Sequence, residues 1–200
     1  MNPSFLNILC DPFTRENLQL QDALYYDDNI VSGKLVSPSN VFLIHNGIPR
    51  FVSNQGYSDN FGYQWNRWAK VQFEEENVGR PMEGHTRRMF EDITGFTPEQ
   101  LIGSTVLDMG CGPGRFTDVA ANMGASVVAV DYSSAIDAAK ANFRGKDVDI
   151  LFLQADALCL PLKENSVDFS FTIGVLHHTP SPSSGVLEAS RVTRAGGKFA

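Results

Sequence analysis

The chain has 200 residues, of which 42% are hydrophobic and 20% are charged. This balance is typical of one globular domain with a small appendage, and it excludes disordered, collagen-like and coiled-coil proteins. Sixteen basic and 23 acidic side chains give a formal net charge of −7, which disfavours nucleic acid as a partner.

The sequence carries no signal for a membrane or for secretion. Its longest apolar runs, such as residues 125–130, are far shorter than a membrane-spanning helix requires. The N-terminus lacks the basic region of a signal peptide. Three widely spaced cysteines suit a reducing compartment better than a disulfide framework. We therefore expect a cytoplasmic protein that has no membrane partner.

Residues 1–55 consist of short apolar runs that are separated by turn-forming residues. The runs 31–36 and 41–44 predict strands, and Asn46-Gly47 is a tight-turn signal. This segment is predicted to be a small β-rich module.

Residues 56–102 differ in composition from the first segment and are predicted to form a helical cover or linker. Aromatic side chains are crowded around Phe61-Gly62-Tyr63-Gln64-Trp65. Further on, Thr97-Pro98-Glu99-Gln100 combines a capping Thr, a Pro in the first turn and a Gln at the capping-box position. This pattern predicts the start of a helix.

From residue 103 onward, strand and helix patterns alternate to the end of the chain. The predicted strands are 105–109, 126–130, 150–153 and 167–173, with a fifth entered through the turn 196–197, and the predicted helices are 115–123, 133–142 and 184–193. Such alternation predicts an α/β fold with a doubly wound parallel sheet.

The sharpest motif is a glycine-rich turn directly after the first of these strands, within Val106-Leu107-Asp108-Met109-Gly110-Cys111-Gly112-Pro113-Gly114. Glycines there let the backbone turn tightly and approach a ligand. A dinucleotide fingerprint counted from Gly110 needs a glycine at position 115, where Arg115 stands. Asp108 would repel a pyrophosphate, but it suits a ligand that carries an ammonium or sulfonium group.

Two further acids follow the next two strands. Asp131 lies 23 residues after Asp108, close to the spacing of about 20 residues at which an acid holds ribose hydroxyls, and Asp156 follows the third strand. The carboxyl ends of neighbouring parallel strands form the crevice where such sheets bind ligands. The alternative is that these acids are solvated loop residues.

With these motifs, residues 57–200 resemble a class I S-adenosylmethionine-dependent methyltransferase of the small-molecule type. The resemblance rests on VLDMGCGPGRF, VVAVDYS, QADALCLP, VDFSFTIGVLHHTP and RAGGKF. It implies a Rossmann-like sheet and S-adenosylmethionine as cofactor. The cofactor-binding residues that it implies are Asp108, Gly110, Cys111, Gly112, Asp131, Tyr132, Asp156, Ala157 and Gly174.

The resemblance also implies a role for each of these residues. The loop 110–112 would pass under the methionine portion, with Asp108 near its amino group. Asp131 would accept from the ribose hydroxyls, Tyr132 would pack on adenine, and Asp156 with the Ala157 backbone would meet the adenine amino group. Gly174 would border the sulfonium.

His177 and His178 follow the fourth predicted strand, where the loop faces the acceptor in similar methyltransferases. His178 is the candidate general base; the alternative is that both histidines orient the loop. Adjacent histidines are expected to point in different directions, and a third ligand is lacking nearby, so no metal site is predicted.

The N-terminal module resembles a small zinc-ribbon domain that some methyltransferases carry or recruit as an activator. The similarity rests on Leu9-Cys10-Asp11-Pro12, residues 32–35 and residues 44–51. Such a ribbon has four cysteines in two pairs, whereas this segment offers Cys10 and His45 only, too few for a tetrahedral site. We therefore expect a metal-free ribbon that folds on apolar contacts.

Two other functions remain open. The chain could be a non-catalytic S-adenosylmethionine-binding or scaffold fragment, or a nucleotide-dependent oxidoreductase, which Asp108 and Arg115 disfavour. The acidic charge favours a small-molecule acceptor. The family fold has seven strands, and the sequence ends at Ala200 as the fifth begins, so we expect a C-terminally truncated chain that is less stable than a longer form.

Overall fold

A computed structural model describes residues 1–52 and 73–200. Its strands are β1 Gln19–Tyr26, β2 Asn29–Val36, β3 Val41–His45, β4 Ile48–Arg50, β5 Thr105–Met109, β6 Ser126–Asp131, β7 Ile150–Gln154, β8 Val167–Phe171 and β9 Thr193–Phe199. Its α-helices are α1 His85–Thr94, α2 Pro98–Leu101, α3 Arg115–Asn122, α4 Ala135–Asn142 and α5 Pro182–Val192. Short 3-10 turns span Pro3–Ile8, Glu74–Glu76 and Leu176–His178.

All the strands of this described part belong to one sheet, in the order β1-β2-β3-β4-β7-β6-β5-β8-β9. The pairs β7–β6, β6–β5, β5–β8 and β8–β9 are all parallel. The apolar runs of β5 and β6 are buried, as expected for central strands covered on both faces. The chain order reverses at β5, whose neighbours are β6 and β8, so a ligand crevice is expected at its carboxyl end. The predicted α/β fold with a parallel, Rossmann-like sheet is confirmed.

The N-terminal strands extend this same sheet. β1 to β4 form an antiparallel ribbon, and β4 joins the parallel part where Arg50 pairs with Gln154 of β7. Ile30 and Leu35 of the ribbon belong to the same apolar core as Leu151 of β7. The predicted strands and the tight turn at 46–47 are confirmed, and both turn residues have positive φ, 51° and 65°.

The predicted helical cover falls partly on residues 53–72, which lie outside the described residues, as does the aromatic stretch 61–65. The helix start at Thr97 is confirmed: Pro98 opens α2, and Thr97 N–H donates to Gln100 Oε1 at 3.2 Å. Helix α1 packs on α3, with Phe90 lying 6.3 Å from Phe116 between ring centroids.

The last strand begins earlier than the sequence predicts. β9 starts at Thr193, directly after α5, so the predicted turn at 196–197 falls inside the strand, at an irregularity where Val167 pairs with Thr193 but Phe169 pairs with Lys198. Both glycines suit this irregularity, because Gly196 has a φ of 85° and a Cβ on Gly197 would clash with the carbonyl oxygen of Asp168 in β8. A glycine pair that reads as a turn here lets two strands approach each other.

A buried polar cluster joins the two loops at which a zinc ribbon would bind its metal. Asp11 is fully buried, and its Oδ1 accepts from Phe13 N at 2.8 Å and Thr14 N at 3.2 Å. Its Oδ2 accepts from Ser37 Oγ at 2.6 Å and Asn40 Nδ2 at 2.8 Å. Burial raises the pKa of Asp11, but these hydrogen bonds outweigh it and lower the pKa below its ordinary value. The expectation of apolar contacts alone is therefore incomplete.

Asp11→Ala is expected to lower the free energy of unfolding by about 3 kcal/mol, because the buried Ser37 hydroxyl and the half-buried Asn40 amide lose their acceptor. Urea denaturation monitored by circular dichroism measures the change. Lys34→Ala is the matched control, since it removes only an exposed ion pair with Asp22, worth less than about 1 kcal/mol. Equal losses for the two variants would contradict a structural role for the Asp11 cluster.

Candidate functional site

A cavity of about 410 Å³ lies at the carboxyl ends of the central parallel strands. This is the position at which open α/β sheets bind ligands. Most of the site residues predicted from the sequence line it: Gly110, Cys111, Gly112, Asp131, Tyr132, Ala157, Gly174 and His178. Asp108 and Asp156 are absent from this lining, although both are described residues.

The glycine loop after β5 forms the floor of the cavity. Gly110 and Cys111 donate their backbone N–H groups to the Val130 carbonyl at 2.8 and 2.9 Å, which fixes the loop against β6. Gly110 has a φ of 87°, and a Cβ there would clash with the Val175 side chain. Glycine at this position therefore lets the loops after β5 and β8 close on each other.

Asp131 ties the glycine loop to the loop after β6. Its Oδ2 accepts from Gly112 N at 2.9 Å, and its Oδ1 accepts from Ser133 N at 2.8 Å and Ser133 Oγ at 2.7 Å. Burial raises the pKa of Asp131, partly offset by these hydrogen bonds. A carboxylate has about four lone-pair positions, so Oδ2 retains capacity to accept from a ligand hydroxyl.

Asp108 lies beneath the glycine loop rather than on the cavity wall. It is 3% exposed, and its Oδ2 accepts from Thr117 Oγ1 at 2.6 Å. Burial, reinforced by the nearby charge of Asp131 and opposed by the Thr117 hydrogen bond, raises the pKa of Asp108 to about 7. Any influence of this carboxyl on a ligand would therefore act across the loop.

Asp156 is half-buried, and its Oδ1 accepts from Leu158 N at 2.8 Å. Its neighbours Ala155 and Ala157 line the cavity. The structure therefore places the backbone on either side of Asp156 at the site, with the carboxylate bonded within its own turn.

The two histidines lie at the end of the loop after β8. Their imidazole centroids are 3.9 Å apart, and His178 lines the cavity. The planes of the two rings are inclined at 48°, and His177 is not among the residues that line the cavity, so the expectation that the rings point in different directions stays a prediction. Among residues 1–52 and 73–200, no cluster of three or more His, Cys, Asp or Glu side chains could hold a metal ion.

The sequence analysis missed one cationic group on the cavity wall. Arg115, at the start of α3, donates Nε–H to Thr86 Oγ1 at 3.0 Å, and its guanidinium lies 4.8 Å from the Phe116 ring centroid. Burial lowers the pKa of Arg115. Met89 of α1 lines the same wall. In the sequence, only the position of Arg115 directly after the glycine turn indicates that it lies at the cavity.

Residues 107–200 match the family model of the methyltransferase domain. Over these residues the chain is similar to methyltransferase domains. The match agrees with the resemblance to S-adenosylmethionine-dependent methyltransferases on which the sequence motifs rest.

Two curated relatives are similar to about half of this chain. An uncharacterized methyltransferase of Mycobacteroides abscessus is 40% identical over 99 residues, which cover 48% of this chain and 38% of that protein. A demethylmenaquinone methyltransferase of Renibacterium salmoninarum is 35% identical over 113 residues, covering 56% and 45%. The chain thus spans less than half the length of either relative.

Among solved structures, a protein of Methanococcus maripaludis assigned as an S-adenosylmethionine-dependent methyltransferase is similar in fold. It has a TM-score of 0.55 and 20% identity, and the similarity covers 74% of this chain and 64% of that one. The described residues contain no helix long and apolar enough to cross a membrane.

Proposed function

We propose that this chain binds S-adenosylmethionine in the cavity and supports transfer of its methyl group to a small-molecule acceptor. The observation that carries the proposal is the hydrogen bond from Gly112 N to Asp131 Oδ2, which joins the glycine loop and the acid after β6 into one wall. The match of residues 107–200 to methyltransferase domains supports the choice of ligand.

The residues present fit this ligand in size and in charge. A cavity of about 410 Å³ is within the range of pockets that enclose small molecules. A Cβ added at Gly174 would meet no atom within 4 Å, so the wall after β8 leaves open space. Arg115 places a cation at the cavity, which suits the carboxylate of the methionine portion.

The proposed roles follow from position. Asp131 accepts from a ribose hydroxyl through Oδ2, and Tyr132 and Ala157 border the adenine, with Asp156 next to them. The loop 110–112 supports the methionine portion from below. Gly174, on the opposite wall, borders the sulfonium.

Bound S-adenosylmethionine supplies an electrophilic methyl group on a positively charged sulfur. The chain has to hold this ligand and the acceptor in line and keep water away, and positioning of this kind supplies much of the rate acceleration. His178 lines the cavity near Gly174, where its imidazole can accept a proton from an acceptor.

The part of the cavity wall formed by Met89, Ile173 and Val175 is apolar, with Thr179 and His178 as polar neighbours. This favours an acceptor that has an apolar body and one polar group. The name of the Renibacterium salmoninarum relative, a demethylmenaquinone methyltransferase, supports an acceptor of this kind. The net charge of −7 disfavours nucleic acid.

Titration calorimetry with S-adenosylhomocysteine and with NAD⁺ tests the proposal. We expect S-adenosylhomocysteine to bind at least about tenfold tighter, because Asp131 on the cavity wall places negative charge where a pyrophosphate would lie. Equal or tighter binding of NAD⁺ would favour the oxidoreductase alternative. Binding of S-adenosylhomocysteine with no methyl transfer to any of a panel of acceptors would favour the non-catalytic alternative.

A further inference from the structure

The N-terminal ribbon reaches the proposed cofactor loop through one buried amide, that of Gln154. Gln154 ends β7 and is 4% exposed. Its Oε1 accepts from Arg50 Nη1 at 2.9 Å, and its Nε2 donates to the carbonyl oxygen of Tyr132 at 3.0 Å. Arg50 is the last residue of β4, so a residue of the ribbon is separated from the Tyr132 backbone by a single side chain.

The chemistry of the three groups fixes the orientation of this amide. An arginine side chain has donors only, and a backbone carbonyl accepts only. Gln154 must therefore turn its oxygen towards Arg50 and its nitrogen towards Tyr132. Without Arg50, the buried Oε1 would lose its donor, and the amide would no longer be held in the orientation that donates to Tyr132.

Arg50 holds the other end of the same loop as well. Its Nη1 and Nη2 donate to the two carboxylate oxygens of Asp137, at 3.0 and 2.6 Å. Asp137 lies in the first turn of α4, directly after the loop 132–134. Lys140, one turn further along α4, donates to the Asn46 carbonyl of the ribbon. The ribbon thus contacts the end of β7, which donates a hydrogen bond to Tyr132, and the start of α4, which directly follows the loop 132–134.

We propose that Arg50 is a positioning residue for the adenosyl ligand, which makes residues 1–52 a built-in part of the cofactor site. Arg50 acts through Gln154 and Asp137 on the loop that carries Tyr132, and it touches no ligand itself. A loop fixed in its binding conformation loses less conformational entropy when ligand binds. The inference rests on the proposed function, since it assigns a determinant of affinity at that same site.

The test compares Arg50→Ala with Arg15→Ala in the full chain. Arg15, which precedes β1, also joins residues 1–52 to the rest of the chain: it donates to Glu188 Oε1 at 3.0 Å and to the Leu160 carbonyl at 2.8 Å, and neither partner lines the cavity. Both variants should lower the melting temperature. Only Arg50→Ala should raise the Kd for S-adenosylhomocysteine, by about tenfold at a temperature well below melting, as expected when a buried polar group loses its partner.

Two further measurements separate positioning from general stability. Gln154→Leu should raise the Kd by a similar factor. The Kd of the double variant Arg50→Ala/Gln154→Leu should be about equal to that of the weaker-binding single variant, because both substitutions break the same connection between Arg50 and Tyr132. Methylthioadenosine lacks the amino-acid portion. Its Kd should rise in these variants by the same factor as the Kd for S-adenosylhomocysteine, since the Tyr132 loop is assigned to the adenosyl end.

The outcomes distinguish the two proposals. If the unsubstituted chain binds S-adenosylhomocysteine and Arg50→Ala binds it equally well, the positioning role is wrong and the cofactor assignment stands. If Arg15→Ala and Arg50→Ala weaken binding equally, the effect is one of stability and the positioning role is again wrong. If the unsubstituted chain binds no adenosyl ligand, the cofactor assignment itself fails, and the role of Arg50 fails with it.

Discussion

Asp131→Ala is expected to weaken the binding of S-adenosylhomocysteine by between about tenfold and a hundredfold. The carboxylate serves two purposes: it accepts from Gly112 N and Ser133, which shapes the cavity, and it offers a charged acceptor to a ribose hydroxyl. A hydrogen bond to a charged group contributes about 1.5–3 kcal/mol, which corresponds to this range. Titration calorimetry gives the Kd directly.

Asp149→Ala is the matched control for that experiment. Asp149 precedes β7 at the opposite end of the sheet, where it accepts from Ser126 Oγ at 2.8 Å. Its removal deletes a carboxylate without touching the cavity, so the Kd should stay within about twofold of the unsubstituted value. An Asp131→Ala chain that binds as tightly as the Asp149→Ala chain would contradict the assignment of Asp131 to the ribose.

The stability of the chain is expected to fall between about pH 4 and pH 7, with Asp108 as a main cause. The pKa of Asp108 is raised from 3.8 to about 7, chiefly by burial. The folded state therefore holds a proton that the unfolded state releases, so the contribution of Asp108 is fully present below the unfolded pKa and is lost as the pH rises through about 7. A shift of this size corresponds to as much as about 4 kcal/mol.

Asp108→Asn should flatten this pH dependence, because the amide stays neutral and its oxygen can still accept from Thr117. Urea denaturation at pH 5, 6, 7 and 8 gives the slope of the unfolding free energy for each chain. Asp149→Asn, at an exposed position, should keep the slope of the unsubstituted chain. If the slope of Asp108→Asn also equals that of the unsubstituted chain, Asp108 is ionised in the folded protein and the burial argument fails.

The parallel sheet and the cavity floor were predictable because their determinants are local in sequence. Apolar runs that end in Asp108–Gly112 and Asp131 mark strands followed by site loops, and the register of a parallel sheet then brings those loops together. The strand-end position of Asp108 predicts a carboxylate at the ligand, but it does not reveal that the side chain is buried beneath the loop, where it accepts from Thr117.

The contacts of the N-terminal ribbon were not predictable in the same way. Arg50 and Gln154 are 104 positions apart, and neither belongs to a recognisable motif. A metal-ribbon pattern does not predict the Asp11 cluster, because that pattern is defined by cysteines, whereas the four hydrogen bonds of Asp11 use a carboxylate, a hydroxyl, an amide and backbone groups. Such polar clusters depend on three-dimensional proximity.

A crystal structure of the chain grown with S-adenosylhomocysteine tests the central claim most directly. We expect the ligand in the cavity between the loop 110–112 and Gly174, with a ribose hydroxyl within about 3 Å of Asp131 Oδ2 and the adenine beside Tyr132. A ligand bound elsewhere, or one whose ribose lies away from Asp131, would contradict the account.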